Sequence, residues 1–437
     1  VQAAPPRLVV VVSVDQLAYK YLQHYRRGFD QRGFFHTIEA QGASFSNCYH
    51  RHAFTFTGPG HSVMLTGCHP DKTGIIGNGW FDAEWGRDRY CVEDLDATTV
   101  GLPEGKGGGG MSPRSLQVET LGDVLKRSTG GRAKVFGISL KDRAGILLAG
   151  RKADAAYWFQ DRQWVTSNYY RKELPPYLRS WNESRVADQY AGAEWNLLLP
   201  TENYLLVRPD DYEFESESYG LGRAFPHRLA AADDPNFDKQ LPVTPIGNDL
   251  TLQGAKMLIE FEQLGQDDVT DLLAIGFSSN DYIGHQYGPY SLEVQDVTFR
   301  TDRLLADLLQ HLDERVGEGN WVLALTSDHG VAPLPEFLEK LGREPTQRNP
   351  LGDVELTQLE ALLEARIRQS LGSPAEGVRY VLKAEVSQVT LNRDPDDQRG
   401  RELYAKPEDR WEANDLAEQA VDAADQLELQ PRRHLDA

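Results

Sequence analysis

Leu8-Val-Val-Val-Val-Ser-Val-Asp15-Gln16 is the stretch on which the reading of this chain turns. An uncharged run of valines with no polar alternation reads as a strand buried on both faces, the pattern of a parallel sheet covered by helices. Asp15 closes that run, where an ionised carboxylate is costly unless it is paired or bound to a metal. A strand-end carboxylate capping the following turn is the plainer alternative.

Three more runs have the same character: Lys134 to Leu140, Asp271 to Phe277 and Trp321 to Thr326. Helical stretches lie between them, with apolar residues at helical period over Leu116 to Arg127 and Leu292 to Val316. This βα alternation predicts an α/β protein with a mostly parallel sheet, whose ligand sites form outside the carboxyl ends of the strands. Asp281-Tyr-Ile-Gly-His285 and Asp328-His329-Gly330 follow the last two runs. Asp281 and His285 stand four positions apart, so on a helix they share a face and can chelate one ion. Gly330 permits a sharp turn that swings Asp328 and His329 toward one point. Each segment alone reads as a chance pair, a turn or a cap. Residues that all terminate strands of one sheet point instead to a metal centre.

The bounding properties fit an enzyme. A chain of 437 residues, 40% hydrophobic, buries a large core, and its net charge of -20 argues against broad affinity for nucleic acid or an anionic membrane. An anionic substrate must then be met by local cations, which draws attention to Lys141 and Arg143. No apolar run approaches the roughly 20 residues of a membrane span. The start, Val-Gln-Ala-Ala-Pro-Pro, suits a mature terminus after signal-peptide removal and a periplasmic or secreted protein, although an engineered start would look the same. Cys48, Cys68 and Cys91 form no CxxC pair and read as small residues in or near the core.

Thr57-Gly-Pro-Gly-His61 opens a stretch to Thr66 that reads as a helix with Thr57 near its N-terminus, where backbone N–H groups favour a phosphate oxygen. A threonine hydroxyl needs a cation to act as a nucleophile at neutral pH, and an N-cap is its alternative reading. His61 has no evident acid partner and reads as a packing residue. Gly107 to Gly110 lacks the GK[ST] ending of a phosphate loop and reads as a flexible surface loop. From 158 to 264 the composition turns aromatic, proline-rich and charged, which marks an inserted cap. The expected organisation is a catalytic core over 1–157 and 265–335, that cap, and a further segment over 336–437 with strands at Val378 to Leu382 and Val386 to Leu391 and a helix at Asp415 to Leu427.

These motifs, in order along nearly the whole chain, resemble the alkaline phosphatase superfamily, and within it the bacterial phosphate-irrepressible alkaline phosphatases that use a threonine nucleophile. Val14-Asp15-Gln16 resembles the first metal-ligand strand end, and Thr57 with Gly60-His61-Ser62 the nucleophile turn. Gly74-Ile-Ile-Gly-Asn78-Gly-Trp80 resembles the segment with the phosphate-binding Asn, 21 positions after Thr57. Lys141-Asp-Arg143 resembles the pair that contacts non-bridging phosphate oxygens in monoesterases. The related nucleotide pyrophosphatase/phosphodiesterases lack that pair.

The resemblance implies a three-layer sandwich with an inserted cap, two Zn2+ ions and hydrolysis of small phosphate monoesters by a monomer. Asp281 and His285 would hold one zinc, with Asp15, Thr57, Asp328 and His329 around the other, while Asn78, Lys141 and Arg143 hold the phosphoryl group. A phosphodiesterase of the same fold and a non-catalytic binding protein are the other readings. One departure stands out: the family has a further zinc-binding His in a Thr-His-Gly-like context, and the late His434, in Arg-Arg-His-Leu, does not match it. Counting ligands, Asp281 and His285 are two where a catalytic zinc usually has three. The 437-residue chain should therefore retain one zinc tightly and the other weakly after dialysis against a mild chelator. Two tightly retained ions would show that another group completes the set.

Overall fold

Valines from 9 to 12 build the middle of a strand that pairs on both edges, so the apolar run is covered by backbone partners as well as by helices. The structure, a computed structural model, describes residues 4–82, 85–103, 109–334, 336–337, 356–374, 376–384 and 389–392. One sheet has eight strands: β1 (Leu8–Val14), β2 (Glu93–Val100), β3 (Gly109–Met111), β4 (Val135–Ser139), β5 (Ala155–Gln160), β6 (Gln163–Ser167), β7 (Asp271–Phe277) and β8 (Trp321–Thr326). Their order across the sheet is β8-β1-β7-β4-β5-β6-β2-β3. The pairs from β8 to β5 are parallel, and those from β5 to β3 antiparallel. Strands β4 and β7 are buried at every position, as a sheet covered by helices on both faces requires. The architecture is the expected α/β sandwich.

The helices that matter for the site are α1 (Thr57–Thr66), α2 (Leu121–Ser128), α3 (Asp142–Ala149), α4 (Ile246–Phe261), α5 (Ser279–Tyr287) and α6 (Leu292–Arg315). Strands β1, β7 and β8 have the bounds their apolar runs indicate. Helix α2 starts later than its periodicity suggests, because Thr120 and Asp123 form a reciprocal capping box and residues 113–115 make a separate 3-10 turn. Gly109 and Gly110, expected in a flexible loop, instead pair with β2 as part of β3. Cys91 is buried as expected, but Cys48 is exposed and Cys68 half-buried, and all three are free thiols. Among the described residues no helix is long and apolar enough to cross a membrane.

The chain forms two compact units. Residues 1–80 and 89–346 make the first, which includes the sheet and residues 158–264. The second comprises 81–88 and 347–437. There α7 (Leu356–Leu371) presents Glu364 and Glu360 to the backbone N–H groups of Val381 and Ala384, 2.8 and 2.9 Å away. These hold it to an antiparallel pair, β9 (Val381–Ala384) and β10 (Val389–Leu391). The helix expected at 415–427 lies outside the described residues.

In the first unit, residues 158–264 are tied to α6 by a buried carboxylate. Asp296, wholly buried, accepts hydrogen bonds from Trp195 Nε1, Leu198 N, Tyr204 OH and Arg300 Nε, each at 2.6 Å. The aromatic residues of this stretch thus supply donors as well as apolar area. Replacing Asp296 by Ala leaves the indole and phenol donors unmatched and the Arg300 charge uncompensated, and should cost about 3 to 5 kcal/mol in urea unfolding. An Asp296→Asn variant should lose less, because one acceptor oxygen survives.

Candidate active site

Parallel register brings the chemistry-bearing residues to one level. Val14 lies opposite Phe277, Ser13 opposite Thr326 and Gly276 opposite Ser139, so Asp15, the start of α5, Asp328-His329 and Lys141 all leave the sheet at its carboxyl edge. There Asp15, Asp281 and His329, all buried, each offer a ligand atom within 4.8 Å of the others. His329 Nε2 is 3.4 Å from Asp15 Oδ1, 3.9 Å from Asp281 Oδ1 and 3.5 Å from Asp328 Oδ2. His285 Nε2 stands 3.2 Å from the same Asp281 oxygen, on a side chain that is 67% exposed. Asp15, Asp281 and His329 thus form the buried cluster, and His285 meets Asp281 from the solvent side, as the four-residue spacing implies.

Lys141, the residue before α3, is drawn into this cluster. Its ammonium donates to Asp15 Oδ2 at 2.6 Å and to Asp281 Oδ2 at 2.5 Å, and lies 3.5 Å from Thr57 Oγ1. Burial pushes the Asp15 carboxyl well above its ordinary range, and the Asp328 charge adds to this. Burial acts the same way on Asp281 and Asp328 but is outweighed there. The His285 imidazole and the Lys141 ammonium hold Asp281 below the usual range, and His61 followed by His329 does so for Asp328. The fit to a divalent ion is good on the structure's own terms: Asp15 Oδ1 and Asp328 Oδ2 are buried without a hydrogen bond, and the donors are the nitrogen and oxygen atoms zinc takes.

Thr57 is the first residue of α1, 2% exposed, with Phe56 preceding it in extended conformation. A side-chain Cβ at Gly60 would stand 2.6 Å from the Asp328 carbonyl oxygen, so this glycine is what lets the helix press against the Asp328-His329 turn. Asn78 Oδ1 accepts from Gly58 N at 2.7 Å, which sets the amide beside the helix N-terminus and leaves its NH2 as the group able to donate to an anion. Arg143, in the first turn of α3, donates through Nη1 to Tyr90 OH at 3.1 Å, and its buried Nε has no partner. Tyr90 in turn donates to Asp142.

His61 corrects the sequence reading. It is wholly buried, and its Nδ1 is 3.3 Å from Asp328 Oδ2 and 2.9 Å from the Thr57 carbonyl oxygen. Its position one turn after Thr57 was the available signal, but its acid partner lies 267 positions away. Gln16, which carries no signal of its own beside Asp15 in the sequence, contacts both Asp281 and Asp328.

This sheet, with acids and imidazoles at its carboxyl edge beside a helix-start threonine, is the fold of the alkaline phosphatases. The crystal structure of wild-type alkaline phosphatase PafA matches with a TM-score of 0.77 at 34% identity, over 90% of this chain and 73% of that one. A PafA variant altered at a threonine, an asparagine, a lysine and an arginine matches with a TM-score of 0.79. A sequence profile of type I phosphodiesterase / nucleotide pyrophosphatase covers residues 9–415, and the chain belongs to that family. It is 39% identical to alkaline phosphatase PhoV of Synechococcus elongatus over 77% of this chain and 61% of that protein. It is 41% identical to a Myroides odoratus protein named a calcium-transporting ATPase, over 76% and 61%. The chain thus spans about 61% of the length of these two curated relatives.

Removing Lys141 should expose the electrostatic cost of the cluster. In chelator, Lys141→Met leaves Asp15 and Asp281 uncompensated and should lower the unfolding free energy by about 3 kcal/mol. Saturating zinc should recover most of that loss in the same urea titration.

Proposed function

We propose that this chain carries the site of a zinc-dependent phosphate-monoester hydrolase, an alkaline phosphatase acting through a phospho-threonine intermediate and releasing inorganic phosphate. The observation that carries the reading is the Thr57 hydroxyl at a helix N-terminus, 3.5 Å from the Lys141 ammonium, on the same sheet edge as the acid and imidazole cluster. Relatives named alkaline phosphatase support it. So do the four residue types altered together in the PafA variant, which are those read here at Thr57, Asn78, Lys141 and Arg143.

Asp15, Asp281, His285, Asp328 and His329 would hold two zinc ions, which when bound supply the positive charge that makes a threonine hydroxyl nucleophilic and stabilises a leaving oxygen. The chain's own part is positional. Helix α1 aims Thr57 Oγ1 in line at phosphorus, and its first N–H groups meet one non-bridging oxygen. The Asn78 NH2, the Lys141 ammonium and the Arg143 guanidinium supply the remaining donors to the equatorial oxygens. Release of the alcohol leaves phosphate on Thr57, and water attacks from the vacated side to give inorganic phosphate.

The family's description favours one second reading, a diesterase, in which a second ester group replaces one anionic oxygen. Two fixed cations suit a dianion better, since each pairs with one charge. Acid quenching with a labelled monoester should trap phosphate on the wild-type chain and none on Thr57→Ala. Replacing Lys141 and Arg143 together by Ala should lower monoester hydrolysis by about 100-fold or more and diester hydrolysis far less. Equal losses on both esters would give the pair a structural role and favour the diesterase.

A further inference from the structure

Gln16 occupies a backbone position that glutamine rarely takes. Its φ is 63°, in the left-handed region, at the third residue of a turn closed by Leu17 N donating to Val14 O at 3.3 Å. Turns with positive φ there favour Gly or Asn, so the side chain has to justify the strain. Gln16 is only 4% exposed, and each of its two donor nitrogens makes a hydrogen bond to a carboxylate. Its backbone N–H donates to Asp328 Oδ1 at 3.1 Å, and its Nε2 to Asp281 Oδ1 at 2.7 Å. Because a carboxylate can only accept, the amide orientation follows from chemistry.

Helix α5 makes room for this contact. A Cβ at Gly284 would lie 1.9 Å from Gln16 Oε1 and 2.9 Å from its Cδ. Gly284 stands between Asp281 and His285 in the helix, at a place where alanine would favour helix formation more. Two locally unfavourable residues, a glutamine with positive φ and a glycine inside a helix, therefore meet at one point between two candidate ligands.

We infer that Gln16 is a positioning residue that fixes the Asp281 and Asp328 carboxylates relative to each other, and that Gly284 is glycine in order to admit it. The inference rests on the metal-site reading above. A neutral amide suits the task, because it orients a ligand carboxylate without competing for the ion as an ammonium would and without repelling it as a second carboxylate would. Asp281 comes from α5 and Asp328 from the end of β8, so no local sequence relation sets their separation. Gln16 touches both from the end of β1, the strand between β7 and β8.

The test uses the full chain, zinc alone as the probe, competition with a chromophoric chelator, and melting in excess chelator. Gln16→Gly accepts the backbone conformation and keeps the N–H to Asp328 but loses the amide. It should weaken zinc binding 10- to 100-fold while the metal-free melting temperature stays level or rises. Gly284→Ala should weaken zinc similarly by displacing the amide, again without lowering the metal-free melt. The double variant should be no worse than the weaker single, because a methyl at 284 then meets no side chain. Unchanged zinc affinity in the single variants, or losses that add in the double, would overturn the inference while the wild type still binds zinc. A wild-type chain that binds no zinc under these conditions would overturn the metal-site reading itself.

Discussion

Mutual repulsion among three buried carboxylates is the constraint to which the rest of the molecule answers. Asp15, Asp281 and Asp328 converge in buried positions, where like charges repel far more strongly than in water. Three kinds of group offset that repulsion. Lys141 supplies a formal positive charge to Asp15 and Asp281. Imidazoles at 61, 285 and 329 flank the acids, and backbone donors from Gln16 and His329 aim at Asp328 Oδ1. A cluster arranged this way is poised for a dication, because the same convergence that penalises the apo state provides the ligand field.

Holding such a site needs stiffness around it, and residues 158–264 contribute to that. Arg208, nearly fully buried, donates to the Tyr287 and Gly288 carbonyl oxygens at the carboxyl end of α5 and pairs with Glu215 at 2.9 Å. Ser216 N donates to the Gln286 carbonyl oxygen at 2.8 Å. The helix bearing Asp281 and His285 is thus gripped at its last turn by residues 208–216 and at its start by the sheet edge. Asp296 does the equivalent for α6. The aromatic and charged composition of residues 158–264 has this mechanical role.

Legibility followed the range of the interactions. The runs at Leu8–Val14 and Asp271–Phe277 are readable to the residue because burial on both faces leaves an uninterrupted apolar signature, whereas Trp321–Thr326 keeps its predicted bounds as an edge strand with no fully buried position. The helix at 121–128 was displaced in the reading because its start is set by the side-chain exchange between Thr120 and Asp123 and not by apolar period. Gly109 and Gly110 read as loop because glycine carries no strand signal, yet β2 supplies the partner that makes them a strand.

For the site, the sequence alone determined which residue types could do the chemistry: acids and imidazoles at strand ends, a threonine opening a helix, and two cations two positions apart. Each is a local pattern with a local physical cause. Tertiary structure alone decided their partnerships. It joined the Asp281–His285 pair to Asp15 and His329, brought His61 to Asp328, drew Lys141 between two carboxylates, and placed Gln16 against Gly284. These contacts join residues more than 40 positions apart through parallel strand register, and no short-range pattern in a single chain encodes a distance across a sheet.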